Sequence, residues 1–284
     1  YFFIIGDIVK IGISIFLLSK GYQIFSLYFG WLLSNVLMVI IYIILAKQNL
    51  RKIFVFKRSV FGKITELFHY GKYLLGQSIL SVAFIPMVTF LISRYIGLSE
   101  VTYFSISWKI TNSIKLFFSK GLQGIIPRVA KINNLFKSGD VLQAIQIVKN
   151  IHRTSLLFVM SIGCPIILLL IIFSEPIMKI WLGNAFHSDF VDSLCVLLVA
   201  LIFELSILPI WNIFLGINKP NNNFTSEFLK ATLLMISVII IVIFYHLTFE
   251  LIVILAGISI VPLVIFLFYK YLIFIKKYQM NLKV

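Results

Sequence analysis

Lys109, Lys115 and Lys120 stand in the stretch VTYFSISWKITNSIKLFFSKGLQGIIPR (residues 101–128), which as a helix at ~1.5 Å per residue is long enough to cross a bilayer. A lysine at the centre of a lipid-facing helix costs about 2.5 kcal/mol or more, so such residues usually face a bundle interior or a water-filled cavity. At ~100° per residue, Thr102, Ser105, Lys109, Asn112, Ser113, Lys120 and Gln123 fall within roughly one third of the circumference, with Leu116 intruding. Phe104, Ile106, Ile110, Ile114, Phe117 and Phe118 lie mostly on the remainder. The helix therefore has a wet face and an oily face, and the rest of the chain is read as the wall of a polar cavity. Lys115 and Lys120 have an alternative, in which their stems snorkel to the membrane surface. For Lys109, about 13 Å from the opposite end of the helix, snorkelling is harder.

Other ionisable residues fall in apolar runs. Asp7 and Lys10, three apart in the first run with Ser14 on the same face, can neutralise one another, since an i,i+3 ion pair lowers the cost of carrying both charges into lipid. Glu204 lies midway in a later span, where it is either an ion carrier or the partner of Lys109 or Lys115 in a structural bridge. Arg94 closes another span and is either an interface anchor or a ligand at the cavity mouth. Bond-making chemistry finds no support. No Gly-rich phosphate loop precedes a Lys-Ser or Lys-Thr pair, and the four histidines lack metal-ligand spacing. No Ser, His and acid set is recognisable. Cys164 and Cys195 sit in apolar runs as packing residues. No cofactor and no metal are expected.

The elements that must position these groups are membrane helices. With 61% hydrophobic residues, 12% charged and a mean hydropathy of +1.05, the chain reads as an all-α integral membrane protein. About eight spans are expected, near residues 1–19, 22–46, 73–95, 101–128, 154–173, 191–215, 229–245 and 250–274. Gly163 with Pro165 invites a kink in the fifth, and Pro86 breaks the third. Asp140 can cap a short amphipathic helix in the headgroup layer ahead of the fifth. The segments SEPIMKIWLGNAFHSDF and INKPNNNF are read as connections, the second as a turn. The formal charge of +15 would suggest nucleic acid in a soluble protein, but here the basic residues are segregated by loop. Residues 47–72, 128–153, 216–230 and the C-terminal tail hold most of them, whereas the opposite face has Lys20, Arg94 and Lys179. That asymmetry places the C-terminus in the cytoplasm and argues against a nucleic-acid partner. The chain begins at Tyr1 with neither an initiator Met nor a signal sequence, and is read as a fragment lacking its N-terminal part.

The segments YGKYLLGQSI, RYIGLSEVTYFSISWKI and SKGLQGIIPRVAKI, between Tyr70 and residue 132, resemble the start of a lobe in bacterial Wzx-type oligosaccharide flippases. These belong to the MOP (multidrug, oligosaccharidyl-lipid, polysaccharide) exporter superfamily, and SEPIMKIWLGNAF is similar to the turn after the third helix of such a lobe. The resemblance covers nearly the whole chain. It implies residues 1–46 as the last two helices of an incomplete N-terminal lobe, 47–72 as a basic cytoplasmic inter-lobe linker, and 73–284 as a six-helix C-terminal lobe of a V-shaped transporter. It further implies that polyprenyl-pyrophosphate-linked oligosaccharide repeat units, such as O-antigen or capsule units, are flipped across the bacterial cytoplasmic membrane by alternating access, without covalent chemistry. In a low-dielectric cavity the pyrophosphate needs cations, which Lys109, Arg94, Lys10 and Lys120 could supply, while Asn112, Ser105 and Gln123 could hydrogen-bond sugar hydroxyls. Glu204 and Asp7 are then candidates for coupling to a proton or sodium ion. Membrane lipids and a polysaccharide polymerase are the other expected partners. The alternatives are a lipid II flippase or multidrug antiporter of the same superfamily, a membrane polysaccharide polymerase or glycosyltransferase, and an inert structural fragment. A drug antiporter would favour acidic cavity residues, and a polymerase a long outer loop rich in acids or arginines.

Overall fold

A computed structural model describes the backbone of residues 2–23, 25–53, 60–138, 140–244 and 248–280. Within these ranges the side chains of residues 2–7, 42, 45–53, 60–64, 66, 133, 134, 136–138, 185, 241–244 and 278–280 are outside the description. Asp7 and the basic run from Lys47 to Lys63 therefore fall outside the described side chains.

The described chain is all helix, apart from turns, and divides into two compact units, Tyr1–Thr65 and Glu66–Val284. The first holds α1 (Phe2–Ser19) and the start and body of α2 (Phe25–Ile53), packed as an antiparallel hairpin. Gly21, with φ +85°, turns the chain between them. Small residues let the two backbones meet. Ser26, Gly30 and Ser34, spaced by four on α2, are buried, and a Cβ at Gly30 would overlap the Ser14 hydroxyl and lie 3.1 Å from the Lys10 carbonyl. Gly30→Val is expected to separate the pair and lower the thermal midpoint, whereas Gly12→Val, with nothing within 4 Å, should leave it unchanged; equal midpoints would refute the close packing.

In the second unit α8 (Ser188–Gly216) is the central element. It is apolar on all sides and buries Leu197, Leu201, Leu205, Ile210 and Phe214 against its neighbours, as expected of a helix surrounded by others. Packed on it are α4 (Leu98–Leu122), α5 (Ile125–Ser138), α6 (Val141–Ile172), α7 (Ser174–Leu182), α9 (Pro220–Phe244), α10 (Phe249–Ile258) and α11 (Ile260–Met280). The remaining helix, α3 (Val60–Tyr95), runs across the unit boundary and buries Phe84, Val88 and Ile92 with Phe104, Leu234 and Ile252. Phe158, Leu168, Leu169, Ile236 and Ile240 point outward. In water such a surface would drive aggregation, but in a bilayer it is the lipid contact.

Among the described residues, five helical segments are long and apolar enough to cross a membrane: Leu67–Tyr95, Val141–Ile172, Ser188–Gly216, Pro220–Ile240 and Phe249–Lys277. The apolar parts of α1 and α2 are shorter, Ile8–Ser19 and Phe25–Ile41. Helix α4 has the length, but Glu100, Lys109, Lys115 and Lys120 set it apart from lipid-facing segments.

The structure refines several boundaries. Pro86 and Pro165 interrupt neither α3 nor α6, as membrane helices tolerate proline where neighbours re-satisfy the backbone. The amphipathic segment beginning at Val141 is continuous with the fifth span instead of being a separate surface helix. The fourth span, read as 101–128, ends at Leu122, and residues 125–138, read as its end and the loop beyond, form α5, whose Ile125, Val129 and Ile132 at helical spacing are buried. The INKPNNNF turn is confined to residues 217–219, where Asn218 has φ 60° and the Lys219 N–H donates to the Phe214 carbonyl at 2.8 Å. Pro220 then occupies the first position of α9, where its missing N–H costs nothing. Half-buried beside this turn, Lys219 is held below the ordinary lysine range, first by burial and then by the Lys277 charge. At the other end Thr248 caps α10, accepting from the Leu251 N–H at 3.4 Å.

Candidate functional site

Helix α4 places the predicted stripe on the surface of its unit. Its inner face is Phe104, Ser107, Thr111, Phe118 and Leu122, anchored by a 2.7 Å hydrogen bond between the Ser107 and Ser193 hydroxyls. Lys109, Lys120 and Gln123 are consequently exposed, and Ser105 and Asn112 half-buried along the edge. The spacing of three and four keeps them on one side of the helix. Lys109 and Lys120 have no ion-pair partner among the described residues. Arg94, in the last turn of α3, is exposed and equally unpaired among them. Lys10 is half-buried in the first unit.

Lys115, one helical turn off the stripe, turns inward, and this is where the second polar centre forms. Glu204 on α8 is 6% exposed, and each of its carboxylate oxygens meets a lysine: Lys230 Nζ donates to Oε1 at 3.0 Å and Lys115 Nζ lies 3.0 Å from Oε2. Lys230 is 4% exposed and stands 4.5 Å from the centroid of the Phe84 ring, a cation–π geometry. Glu227, three residues before Lys230 on α9 and 8% exposed, lines the same small cavity as Glu204 and Lys115. The cluster thus sets two carboxylates against two ammonium groups, without which the charges would not persist in so dry a place. A cavity of about 170 Å³ opens beside it, lined by Gln77, Ser81, Lys115, Ser119, Glu204 and Trp211 among others. Gln77 Oε1 is buried there without a partner among the described atoms.

Of the two bridge partners considered for Glu204, the structure selects Lys115 and leaves Lys109 outside. Lys230 and Glu227 were missed because α9 was expected to start at residue 229, leaving Lys230 at a span end. The readable signal was Pro220 as a first helical residue, followed by Asn223, Glu227 and Lys230 on one helical face. Among the described residues no group of three or more His, Cys, Asp or Glu side chains could hold a metal.

The model of the family described as "Polysaccharide biosynthesis protein" matches residues 1–190. A Shigella flexneri protein provisionally named an O-antigen transporter is 24% identical over 144 residues, which span 50% of this chain and 32% of that protein. The fold is similar to that of a MATE solved in complex with MaL6, at a TM-score of 0.74 and 14% identity, covering 97% of this chain and 63% of the other. An outward-facing multidrug resistance MATE family transporter of the MOP superfamily gives 0.69 at 16% identity, covering 96% and 61%. A MOP superfamily transporter from Pyrococcus furiosus, described as having a binding pocket of reverse polarity, gives 0.67 at 16% identity, covering 96% and 61%. The chain therefore spans about a third of the curated relative and about three fifths of the solved transporters.

Proposed function

The chain belongs to the polysaccharide biosynthesis protein family, is a multi-pass membrane protein with a MOP-transporter fold, and we propose that it is part of a flippase for polyprenyl-pyrophosphate-linked oligosaccharide. The observation that carries this reading is the outer stripe of α4. A membrane-length helix keeps two lysines without an ion-pair partner among the described residues, two amides and hydroxyls off the core of its own unit. Such a stripe is tolerable in a bilayer only where it faces water or an anionic ligand. Lys109, with Arg94 and Lys120, offsets the pyrophosphate charge, and Ser105, Asn112 and Gln123 bond to the sugar; Lys10 is the candidate cation of the first unit. The head group crosses while the lipid tail stays in the bilayer, so no bond is made or broken and the protein acts without catalysis.

Residues 1–46 then form the end of one lobe, 47–72 the linker and 73–284 the other lobe. The hairpin packing of α1 and α2, and the partition between Thr65 and Glu66 inside the proposed linker, support that division. The basic loops support a cytoplasmic C-terminus in the inner membrane. A proton or sodium ion is the proposed driving partner. Asp7 stays the simpler coupling candidate, because both oxygens of Glu204 are engaged by lysines.

The test is complementation of a flippase-deficient strain by the full-length gene at matched membrane levels. Lys109→Ala is expected to abolish surface polysaccharide and Lys109→Arg to retain it. Full activity of the alanine variant would remove Lys109 from the site.

A further inference from the structure

A groove of about 530 Å³ lies between the α4–α5 junction and α6 in the second unit. Arg128, Asn150, Thr154 and Ser155 supply its polar lining, and Leu122, Ile125, Ile147, Ile151 and Phe158 its apolar lining. Along α6 the groove runs from Ile147, in the basic segment holding Lys149 and Arg153, to Phe158, in the aliphatic run that starts at Leu156. The groove therefore straddles the edge of the hydrocarbon layer, and its polar groups on α6 all precede the aliphatic run. No acid lines it, and among the described residues Arg128, Lys149 and Arg153 have no ion pair. Its size suits a lipid head group with the start of a chain.

We propose that this groove binds one anionic phospholipid, with Arg128 pairing the phosphate, Asn150, Thr154 and Ser155 hydrogen-bonding the head group and glycerol, and Phe158 lying along an acyl chain. Charge complementarity selects the occupant. A zwitterionic lipid would bring its own ammonium into a basic rim, whereas each basic residue near the surface favours an anionic one. The guanidinium is suited to paired phosphate oxygens in a way that a lysine is not. The site is independent of the translocation reading and lies on residues that reading does not use.

The test is lipid retention by the full-length protein, purified in mild detergent and observed by native mass spectrometry after titration with phosphatidylglycerol or phosphatidylcholine. One tight phosphatidylglycerol is expected, with phosphatidylcholine displaced by it and inorganic phosphate not competing at equal concentration. Arg128→Gln is expected to weaken that site more than about tenfold, the loss of charge-assisted hydrogen bonds to the phosphate. Lys149→Gln, on the same helix turn as Asn150 but not lining the groove, should cost no more than the about fivefold effect of one basic residue near the surface. Arg128 is exposed, so its variant should remain folded, which an unchanged thermal midpoint in lipid-free detergent would verify. Equal losses in both variants would mean diffuse surface charge and overturn the proposal, as would equal retention of the two lipids, an unaffected Arg128 variant, or competition by phosphate alone.

Discussion

Glu204→Ala is expected to prevent accumulation of the folded protein. The substitution leaves Lys230, 4% exposed, and Lys115 without the carboxylate they share, and only Glu227 to face two positive charges. Removing one partner of a buried ion pair typically costs about 3–5 kcal/mol, a large part of the stability of an ordinary domain. Lys115, at 27% side-chain exposure, can swing toward the cavity and recover some solvation; Lys230, at 5%, cannot. Lys230→Ala should be more damaging than Lys115→Ala, because it takes from both buried carboxylates, Glu204 and Glu227, the lysine between them, whereas Lys115→Ala leaves Lys230 in place. The double variant Glu204→Met/Lys115→Met restores charge balance, since Lys230 and Glu227 remain, and is expected to recover much of the lost expression. The measurement is membrane-inserted, detergent-stable protein by fluorescence-detected size exclusion, with complementation run in parallel. Recovery of both folding and transport in the double variant identifies a structural bridge. Recovery of folding with loss of transport would return Glu204 to the ion-coupling role proposed from its position in the sequence. A well-folded single alanine variant would refute the bridge altogether.

Gly216→Val is expected to have the next largest effect. A Cβ there would sit 2.6 Å from Val129 Cβ and 3.0 Å from the Ile126 carbonyl oxygen, so the last turn of α8 meets the backbone of α5 with no space for a side chain. Neither neighbour can rotate away, because one is a β-branched stem and the other is main chain. Overpacking of this kind costs about 1–3 kcal/mol and would push α5 off the core. Gly163→Ala is the informative contrast. There the near atom is Leu205 Cδ1 at 2.8 Å, the end of a flexible side chain, and the substitution also raises helix propensity by about 1 kcal/mol. Thermal midpoints in detergent should fall clearly for Gly216→Val and change little for Gly163→Ala. The reverse order would show that α5 is loosely held.

By its composition and periodicity alone, the sequence determined an all-helical membrane chain and the polar stripe of α4, while of about eight expected spans five among the described residues are long and apolar enough to cross a membrane. Hydrophobic runs and the stripe from Ser105 to Gln123 are local patterns, and a low-dielectric solvent permits few structures other than helices to satisfy their backbones. Its basic loops give an expected orientation, because the bias of Lys and Arg between loops is itself a local pattern. What the sequence left open was which buried charge meets which. Lys109 and Lys115 look alike as residues, and they part because their positions on α4 differ by six residues, which turns one toward solvent and the other toward Glu204. Lys230 joined them only once α9 was seen to begin at Pro220, a boundary set by the short turn at Asn218 and by packing against α8 and α11. Pairing between residues far apart in the chain depends on how helices are rotated and crossed, and that is decided by side-chain packing summed over the whole lobe, which no single stretch of sequence contains.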